Sequence, residues 1–293
     1  MRVFVTGATG YIGSAVCDAV KKRGHDIVGL ARSSAGIEKL LARGMHPVQA
    51  TLEDHKALRE MTHDADAVIY CAFERSPQGV EMEARALDSM LGAVDSGHEA
   101  FVYTSGCWVY GDTGGKTVDE SAPLHPIELV AWRPSHEKKV HNARKHKLRT
   151  VVIRPGLVYG DGGGIPGRMI EQAKAGQLVI AGDGENHWTT VRIDALAELY
   201  ALALERAPAG ATYNGVNGDP VKYADVARAI SRAAGGNGQV DAIPLEQARK
   251  TMGPFADALA LDQRLLAAKA LVDLAWDPER PTILEELSNT TVV

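Results

Sequence analysis

The sequence is short of cysteine: it has three, Cys17, Cys71 and Cys107, and no CxxC pair. Their odd number and wide spacing do not indicate a disulfide framework or a cysteine-ligated zinc site. The sequence also has no apolar run near the roughly 20 residues that cross a bilayer, and no recognisable signal peptide. We therefore expect a cytoplasmic protein that binds no metal and no membrane.

An excess of positive charge is missing as well, because 37 acidic residues outweigh 32 basic ones and the net charge is −5. That balance excludes a generally basic nucleic-acid-binding protein. Glycine, in contrast, is plentiful at 30 residues, which is typical of folds with many tight strand-to-helix turns. A chain of 293 residues can bury a substantial core.

The chain opens with an apolar stretch that leads into three glycines spaced three residues apart, in the segment TGATGYIG at 6–13. This spacing, after a short strand and before a helix, is typical of a turn that binds a dinucleotide. The first glycine supplies unusual backbone angles, the second leaves room for pyrophosphate, and the third lets the helix pack tightly on the strand. The predicted cofactor contacts here are Gly7, Thr9, Gly10, Tyr11, Ile12 and Gly13.

Apolar, β-branched stretches then alternate with segments of helical periodicity. This alternation predicts an α/β fold with a doubly wound parallel sheet. We place a dinucleotide-binding Rossmann domain at 1–156 and a smaller, mixed and mostly helical substrate lobe at 157–293, interleaved with the last sheet strands. The predicted strands are 26–31, 45–49, 67–72, 100–105 and 150–154, and the predicted helices between them include 37–43, 55–61, 80–96 and 135–145.

The glycine segment resembles the TGxxGxxG signature of the extended short-chain dehydrogenase/reductase superfamily, and the resemblance runs from Met1 to about Glu286. It implies a Rossmann fold, a bound NAD or NADP, and oxidoreductase or epimerase-like chemistry. In that superfamily, the helices that correspond to 80–96 and 135–145 commonly pair two subunits. The resemblance therefore also points to a homodimer.

The residues after the second predicted strand favour NADP over NAD. An NAD-selective site usually places a carboxylate there to accept hydrogen bonds from the ribose 2′-hydroxyl. Here the strand is followed by Arg32 and Ser33, and a guanidinium suits a 2′-phosphate. The alternative interpretation of Arg32 is a solvent-exposed arginine on a loop. We expect NADP (NADPH) as the cofactor, with NAD less favoured.

Three further segments resemble cofactor-contacting parts of the superfamily. One follows the third strand, where an Asp and an apolar residue usually contact adenine; this chain keeps only the apolar residue. Another ends the fourth strand and resembles the segment of small residues beside the riboses. The last, RPGLVYG at 154–160, resembles the R-P-x-x-V-Y-G segment beside the nicotinamide. The contacts that they imply are Leu52, Cys71, Ala72, Phe73, Pro155, Gly156 and Val158.

The catalytic positions match the superfamily only in part. Its fifth strand ends with a Ser or Thr that hydrogen-bonds the substrate oxygen, and Ser105 is our choice for that role, with Thr104 as the alternative. Its Y-x-x-S-K segment corresponds to WRPSH at 132–136, so Trp132 and His136 replace the usual Tyr and Lys. An indole does not ionise in a useful range, so Trp132 cannot be the general acid.

Four side chains remain candidates for the missing acid–base group. An imidazole titrates near neutrality, so His136 could relay a proton or hold a ribose hydroxyl. Glu137 could do the same if it is buried. Tyr110 and Tyr159, each in a V-Y-G segment, could enter from loops. Alternatively, an activated carbonyl or iminium-like substrate would need little help from an acid.

These observations leave three hypotheses about function. The favoured one is an NADP-dependent oxidoreductase that acts on a small carbonyl- or imine-type substrate with a non-standard acid–base group. The second is a nucleotide-sugar epimerase or dehydratase, which is weakened by the loss of the Tyr and Lys. The third is a non-catalytic NADP-binding sensor, similar to NmrA-like relatives, for which Trp132 and His136 would be expected.

Overall fold

The computed structural model describes residues 1–95, 97–143 and 148–289. Strands, in chain order, are β1 (Arg2–Thr6), β2 (Asp26–Ala31), β3 (His46–Gln49), β4 (Ala67–Tyr70), β5 (Ala100–Thr104), β6 (Thr117–Val118), β7 (Arg149–Pro155), β8 (Leu157–Tyr159), β9 (Val179–Ala181), β10 (His187–Arg192), β11 (Ala211–Gly215), β12 (Asn217–Lys222), β13 (Asp241–Ile243) and β14 (Arg264–Leu265).

The helices follow the same order, and two short 3-10 turns at Cys107–Tyr110 and Glu128–Val130 precede α5. They are α1 (Tyr11–Lys22), α2 (Ser34–Ala42), α3 (His55–His63), α4 (Gly79–Ala93), α5 (Arg133–Asn142), α6 (Gly164–Lys174), α7 (Ile193–Arg206), α8 (Tyr223–Ala233), α9 (Leu245–Met252), α10 (Phe255–Leu259), α11 (Ala268–Leu274) and α12 (Ile283–Asn289). In the described part of the chain, no helix is both long and apolar enough to span a bilayer.

The chain forms two compact units, each assembled from three separate segments. The first unit consists of Met1–Ser105, Ser135–Ile153 and Ala197–Tyr213, and the second consists of Gly106–Pro134, Arg154–Leu196 and Asn214–Val293.

The predicted domain boundary lies after residue 156, and these two units differ from that prediction in two segments. The segment 197–213 returns to the first unit because it leads into β11, an edge strand of the large sheet. The segment 106–134 joins the second unit because it hydrogen-bonds the chain far downstream. The Thr113 N–H donates to the Asp262 carbonyl at 2.9 Å, and the Gln263 amide donates to the Gly111 carbonyl at 2.7 Å.

The first unit is built on a seven-stranded sheet in the order β11-β7-β5-β4-β1-β2-β3. The pairs β1–β2, β2–β3, β1–β4, β4–β5 and β5–β7 are all parallel. The chain builds outward from β1 to β3 and then returns to the other side of β1, which creates a switch point between β1 and β4. The predicted doubly wound α/β fold is confirmed.

The ends of several predicted elements shift for local reasons. Helix α2 begins three residues earlier than predicted, because the Ser33 hydroxyl accepts the Gly36 N–H at 3.2 Å and caps the helix. Helices α4 and α5 end at Ala93 and Asn142, and the predicted extensions over residues 96 and 144–145 lie outside the described residues. Short paired strands such as β6 and β14 gave no recognisable pattern in the sequence.

The second unit combines small sheets with helices. Its three-stranded sheet has the order β12-β10-β8, in which β10 runs parallel to β8 and antiparallel to β12. The pairs β13–β9 and β14–β6 are parallel two-stranded ladders. The core contains Trp188, whose ring stacks on Tyr223 with the centroids 4.1 Å apart. Strands and helices are thus mixed here, and the part after residue 223 is mostly helical, as predicted.

The turn from β1 into α1 is packed tightly against neighbouring backbone. Gly7 has φ +71, and a Cβ there would lie 2.8 Å from backbone atoms of Cys71 and Ala72. A Cβ on Gly13 would lie 2.2 Å from the Gly7 carbonyl oxygen. Real side chains do not come that close to backbone atoms, so Gly13 is what allows α1 to approach the end of β1.

We predict that Gly13→Ala lowers the free energy of unfolding by about 2 kcal/mol or more, because the added methyl group must displace backbone. Gly92→Ala is the matched control, since Gly92 also lies in a helix and a Cβ there meets nothing within 4 Å. That variant should be as stable as the wild type or about 1 kcal/mol more stable. Urea unfolding followed by circular dichroism measures both, and equal stability of the two variants would contradict the packing argument.

Candidate functional site

The sheet of the first unit brings four predicted site segments to one edge. In each segment, one site residue comes directly after the end of a strand: Gly7 after β1, Arg32 after β2, Cys71 after β4 and Ser105 after β5. Because these strands are parallel, their carboxyl ends lie at the same edge of the sheet. Ligands of open α/β sheets bind outside this edge, near the switch point. The candidate site is therefore built at the carboxyl ends of β1, β2, β4 and β5.

The N-terminus of α1 has the form of a phosphate cradle. The Gly10 N–H donates to the Gly7 carbonyl at 2.9 Å, which closes the turn, and Gly10 itself is exposed. Within the described residues, no side chain caps α1 at Gly10. The first amides of a helix have no intrahelical acceptor, so a helix N-terminus is suited to bind an anion. These residues fit a dinucleotide pyrophosphate.

Arg32 is exposed and forms an ion pair with Glu74, a residue that the sequence analysis did not select. Next to it, the Ser33 hydroxyl is engaged as the cap of α2. A guanidinium that already faces a carboxylate can bind a 2′-phosphate only by sharing or releasing that partner. The ion pair therefore supplies a competitor to the phosphate that Arg32 is predicted to bind.

The residues predicted to surround adenine and the riboses differ in how much surface they offer. Leu52 is 7% exposed and packs in the core with Ala50 and Leu58, so it has little surface left for an adenine ring. Its apolar side chain helps to fill the core, and its contact with adenine stays a prediction. Phe73, in contrast, is 43% exposed. Between Leu52 and Phe73, Phe73 offers the larger apolar surface.

Thr104 is part of a chain of three hydrogen-bonded side chains. The Tyr200 hydroxyl donates to Thr104 Oγ1 at 2.7 Å, and the Thr104 hydroxyl donates to Cys71 Sγ at 3.3 Å. Burial raises the pKa of the Cys71 thiol to about 12, so that it stays a neutral acceptor at physiological pH. The hydroxyl of Thr104 is therefore engaged inside the protein.

The Ser105 hydroxyl, unlike that of Thr104, has no hydrogen-bond partner among the described residues. Its N–H donates to the Ile153 carbonyl at 2.7 Å, which continues the β5–β7 pairing past the end of β5. The residue is 5% exposed, and among the described residues its hydroxyl has no hydrogen-bond partner. A buried hydroxyl without a partner costs free energy unless a ligand or water completes it. Of the two predicted hydroxyls, Ser105 is thus the one with unused hydrogen-bonding capacity.

His136 is buried in α5 and faces a buried carboxylate. Its Nδ1 lies 3.3 Å from Glu83 Oε1, and the Tyr103 hydroxyl donates to the same oxygen at 2.6 Å. Glu83 is 1% exposed. The neighbouring candidate, Glu137, is buried as well. Histidine that contacts a carboxylate through one ring nitrogen can exchange a proton through the other.

The sequence analysis missed Glu83, although a signal for it exists. Glu83 is followed at helical spacing by Ala86, Leu87 and Met90, and all four are buried on α4. A carboxylate in phase with the apolar face of a helix is unusual, because a buried charge is costly without a partner. That pattern predicts a polar partner in the core, but it does not say which one.

The two tyrosines that were considered as substitute acids have other contacts in the second unit. The Tyr110 hydroxyl donates a hydrogen bond to Asn214 Oδ1 at 2.8 Å and accepts one from Arg154 Nη1 at 2.7 Å. Burial raises the pKa of Tyr110 to about 12. The Tyr159 hydroxyl donates to the Pro281 carbonyl at 2.6 Å, and burial raises its pKa too. Both hydroxyl protons serve structural hydrogen bonds, which argues against these two tyrosines as acids.

Gly156 is explained by packing within the second unit. A Cβ there would lie 2.6 Å from the Thr189 carbonyl oxygen, and the Gly156 N–H donates to the Gly215 carbonyl at 2.9 Å. Its neighbour Pro155 is buried, and Val158 pairs with Val191 in the β8–β10 ladder. The contacts of these three residues with a cofactor stay predictions.

Comparison with known proteins agrees with these features. The model of the NAD-dependent epimerase/dehydratase family matches residues 3–217. An uncharacterized protein of Schizosaccharomyces pombe is 29% identical over 299 residues, which cover 99% of each chain. The 2-alkyl-3-oxoalkanoate reductase of Stenotrophomonas maltophilia is 28% identical over 269 residues, covering 80% of this chain and 76% of that protein.

A solved structure shows the same fold at lower identity. Human epimerase family protein SDR39U1, determined with NADPH, superposes with a TM-score of 0.79 at 21% identity and covers 99% of each chain. The resemblance to the extended or atypical short-chain dehydrogenase/reductases is confirmed, because the family match spans both the glycine turn and the strands that follow it. The chain belongs to the NAD-dependent epimerase/dehydratase family.

Proposed function

We propose that the protein is an NADP(H)-dependent oxidoreductase that reduces a small carbonyl substrate. The observation that carries the proposal is the buried Ser105 hydroxyl at the carboxyl end of β5, which has no partner among the described residues. A substrate oxygen would supply the missing hydrogen bond. The proposed substrate class is supported by the similarity to a reductase whose name specifies a 3-oxoalkanoate.

The proposed cofactor is held by the turn before α1 and by the loop after β2. The amides at the start of α1 would bind the pyrophosphate, and Arg32 would bind the 2′-phosphate. The choice of NADP over NAD rests on the guanidinium at position 32 and is supported by the NADPH in the SDR39U1 structure. When bound, the nicotinamide supplies hydride to carbonyl carbon or accepts it from an alcohol.

The chain would supply the hydrogen bonds and the proton. The Ser105 hydroxyl donates to the carbonyl oxygen and stabilises the negative charge that develops on it. His136 then gives a proton to that oxygen, so that the carbon gains hydride, the oxygen gains a proton and an alcohol leaves. Trp132 can take no part in this proton transfer, because its indole N–H does not ionise. A β-keto acid or ester is the substrate class to test first.

The cofactor proposal predicts that Arg32→Ala raises the Kd for NADPH by about 10- to 100-fold, the cost of losing a charged hydrogen bond. The Kd for NADH should change little, because NADH lacks the 2′-phosphate. Glu74→Gln should tighten NADPH binding, since it removes the carboxylate that competes for Arg32. Fluorescence titration measures these dissociation constants. The control is Arg59→Ala, which removes an exposed arginine on α3. Equal loss of both nucleotides in Arg32→Ala would contradict the phosphate assignment.

The substrate role of Ser105 predicts a variant that is stable but slow. Ser105→Ala removes a buried hydroxyl without a partner, so its free energy of unfolding should equal that of the wild type or exceed it by about 1 kcal/mol. Its kcat/KM for carbonyl reduction should fall on the order of 100-fold. The matched control is Thr150→Val. Thr150 also has a buried hydroxyl without a partner in the described chain, but it lies at the opposite end of the sheet.

Thr150→Val should therefore keep its activity. Unfolding curves and steady-state kinetics of NADPH oxidation distinguish the outcomes. A wild-type protein that binds NADPH tightly but reduces no carbonyl compound would favour the alternative of a cofactor-binding sensor, for which Trp132 is the supporting residue. Retention of full activity by Ser105→Ala would remove Ser105 from the mechanism.

A further inference from the structure

Three buried polar side chains meet inside the first unit: Glu83 on α4, Tyr103 on β5 and His136 on α5. Glu83 Oε1 accepts the Tyr103 hydroxyl at 2.6 Å and lies 3.3 Å from His136 Nδ1. Glu83 belongs to none of the motifs of the sequence analysis, and Tyr103 was given no role there. The cluster therefore calls for a physical explanation of its own.

A carboxylate this deeply buried destabilises a protein unless its oxygens are satisfied. Tyr103 supplies one neutral donor to Oε1, and the second partner on that oxygen is the imidazole. A carboxylate accepts hydrogen bonds and cannot donate them, so the contact requires a proton on Nδ1. When the ring is neutral, its single proton is on Nδ1, and Nε2 is the basic nitrogen. When the ring is charged, Nδ1–H faces Glu83 and the second proton is on Nε2.

We propose that Glu83 is a positioning residue for His136: it holds Nδ1 so that Nε2 is the nitrogen that exchanges a proton with the substrate oxygen. This inference rests on the proposed reductase function, in which His136 is the acid, and it identifies Glu83 as the residue that orients His136. A carboxylate behind an imidazole fixes the tautomer and the orientation of the ring without itself changing protonation. Tyr103, in turn, keeps the Glu83 carboxylate in place through its hydroxyl.

The proton balance of this arrangement is simple. During reduction, the Nε2–H bond breaks and an O–H bond forms on the oxygen of the reduced carbonyl, which leaves His136 neutral with its remaining proton on Nδ1. A proton from solvent restores Nε2–H before the next cycle. In the direction of alcohol oxidation, Nε2 accepts the hydroxyl proton. Glu83 neither gains nor loses a proton in this scheme, so each proton passes between the substrate oxygen, Nε2 and solvent.

The first arm of the test is spectroscopic and uses the cofactor-free protein. Nitrogen-15 NMR of the histidine rings reports which ring nitrogen carries the proton, and the His136 signals are those lost in His136→Gln. We expect the Nδ1–H tautomer in the neutral wild-type ring. In Glu83→Gln, we expect a mixture or the opposite tautomer. A neutral wild-type ring protonated on Nε2 would overturn the proposal.

The second arm is kinetic and compares Glu83→Gln with Glu81→Gln. Glu81 lies on the same helix but is exposed and paired with Arg85, so it is a matched control for loss of a carboxylate. We expect kcat to fall about 10- to 100-fold in Glu83→Gln, with KM and the Kd for NADPH within about twofold of wild type. In Glu81→Gln, all three constants should be unchanged. Unaltered kcat in a folded Glu83→Gln would overturn the positioning role.

The two arms also separate this inference from the function on which it rests. If the wild-type protein reduces no carbonyl substrate, the proposed function fails, whereas the tautomer of His136 still shows whether Glu83 holds Nδ1. If Glu83→Gln does not fold, Tyr103→Phe is the substitute variant. It keeps the Glu83 carboxylate and removes only the hydrogen bond from the Tyr103 hydroxyl. That variant should lower kcat by less than about tenfold and keep the Nδ1–H tautomer. Loss of the tautomer in Tyr103→Phe would instead assign the control of His136 to Tyr103.

Discussion

The close approach of helix α1 to the end of β1 is the constraint on which the first unit depends. A methyl group on Gly13 would lie 2.2 Å from the Gly7 carbonyl oxygen, so the helix can start there only because both positions are glycine. That start directs the first amides of α1 toward the carboxyl edge of the sheet, where β2, β4 and β5 also end. A phosphate-binding turn and the polar residues of three other strand ends thereby share one edge.

Several buried polar side chains belong to the candidate site, and their hydrogen bonding differs from one residue to the next. Thr104 closes a hydrogen-bonded chain with Tyr200 and Cys71, whereas Ser105, one residue further, keeps a buried hydroxyl for which the described residues supply no partner. His136, which is predicted to stand where the superfamily has its lysine, faces a buried carboxylate. The Thr104 hydroxyl is thus satisfied within the protein, whereas the Ser105 hydroxyl has no partner among the described residues.

Local patterns in the sequence were sufficient for the sheet, the glycine turn and the strand-end positions. Each depends on spacing over a few residues, as with Gly7, Gly10 and Gly13, or on apolar runs of strand length. The partners of the site residues were not predictable in this way. Glu74 and Glu83 lie 42 and 53 residues from Arg32 and His136, and only the folded chain brings each pair together. Leu52 could serve the core or a ligand, and sequence alone does not distinguish these uses.

The most direct test of the proposed function follows hydride itself. The wild-type protein is incubated with a panel of β-keto esters and NADPH that carries deuterium at one or the other position of nicotinamide C4, and the products are analysed by mass spectrometry. A reductase with a fixed nicotinamide orientation transfers deuterium from only one of the two labelled cofactors to the carbinol carbon. Saturable NADPH binding without deuterium in any product would contradict the reductase function and leave cofactor sensing as the better explanation.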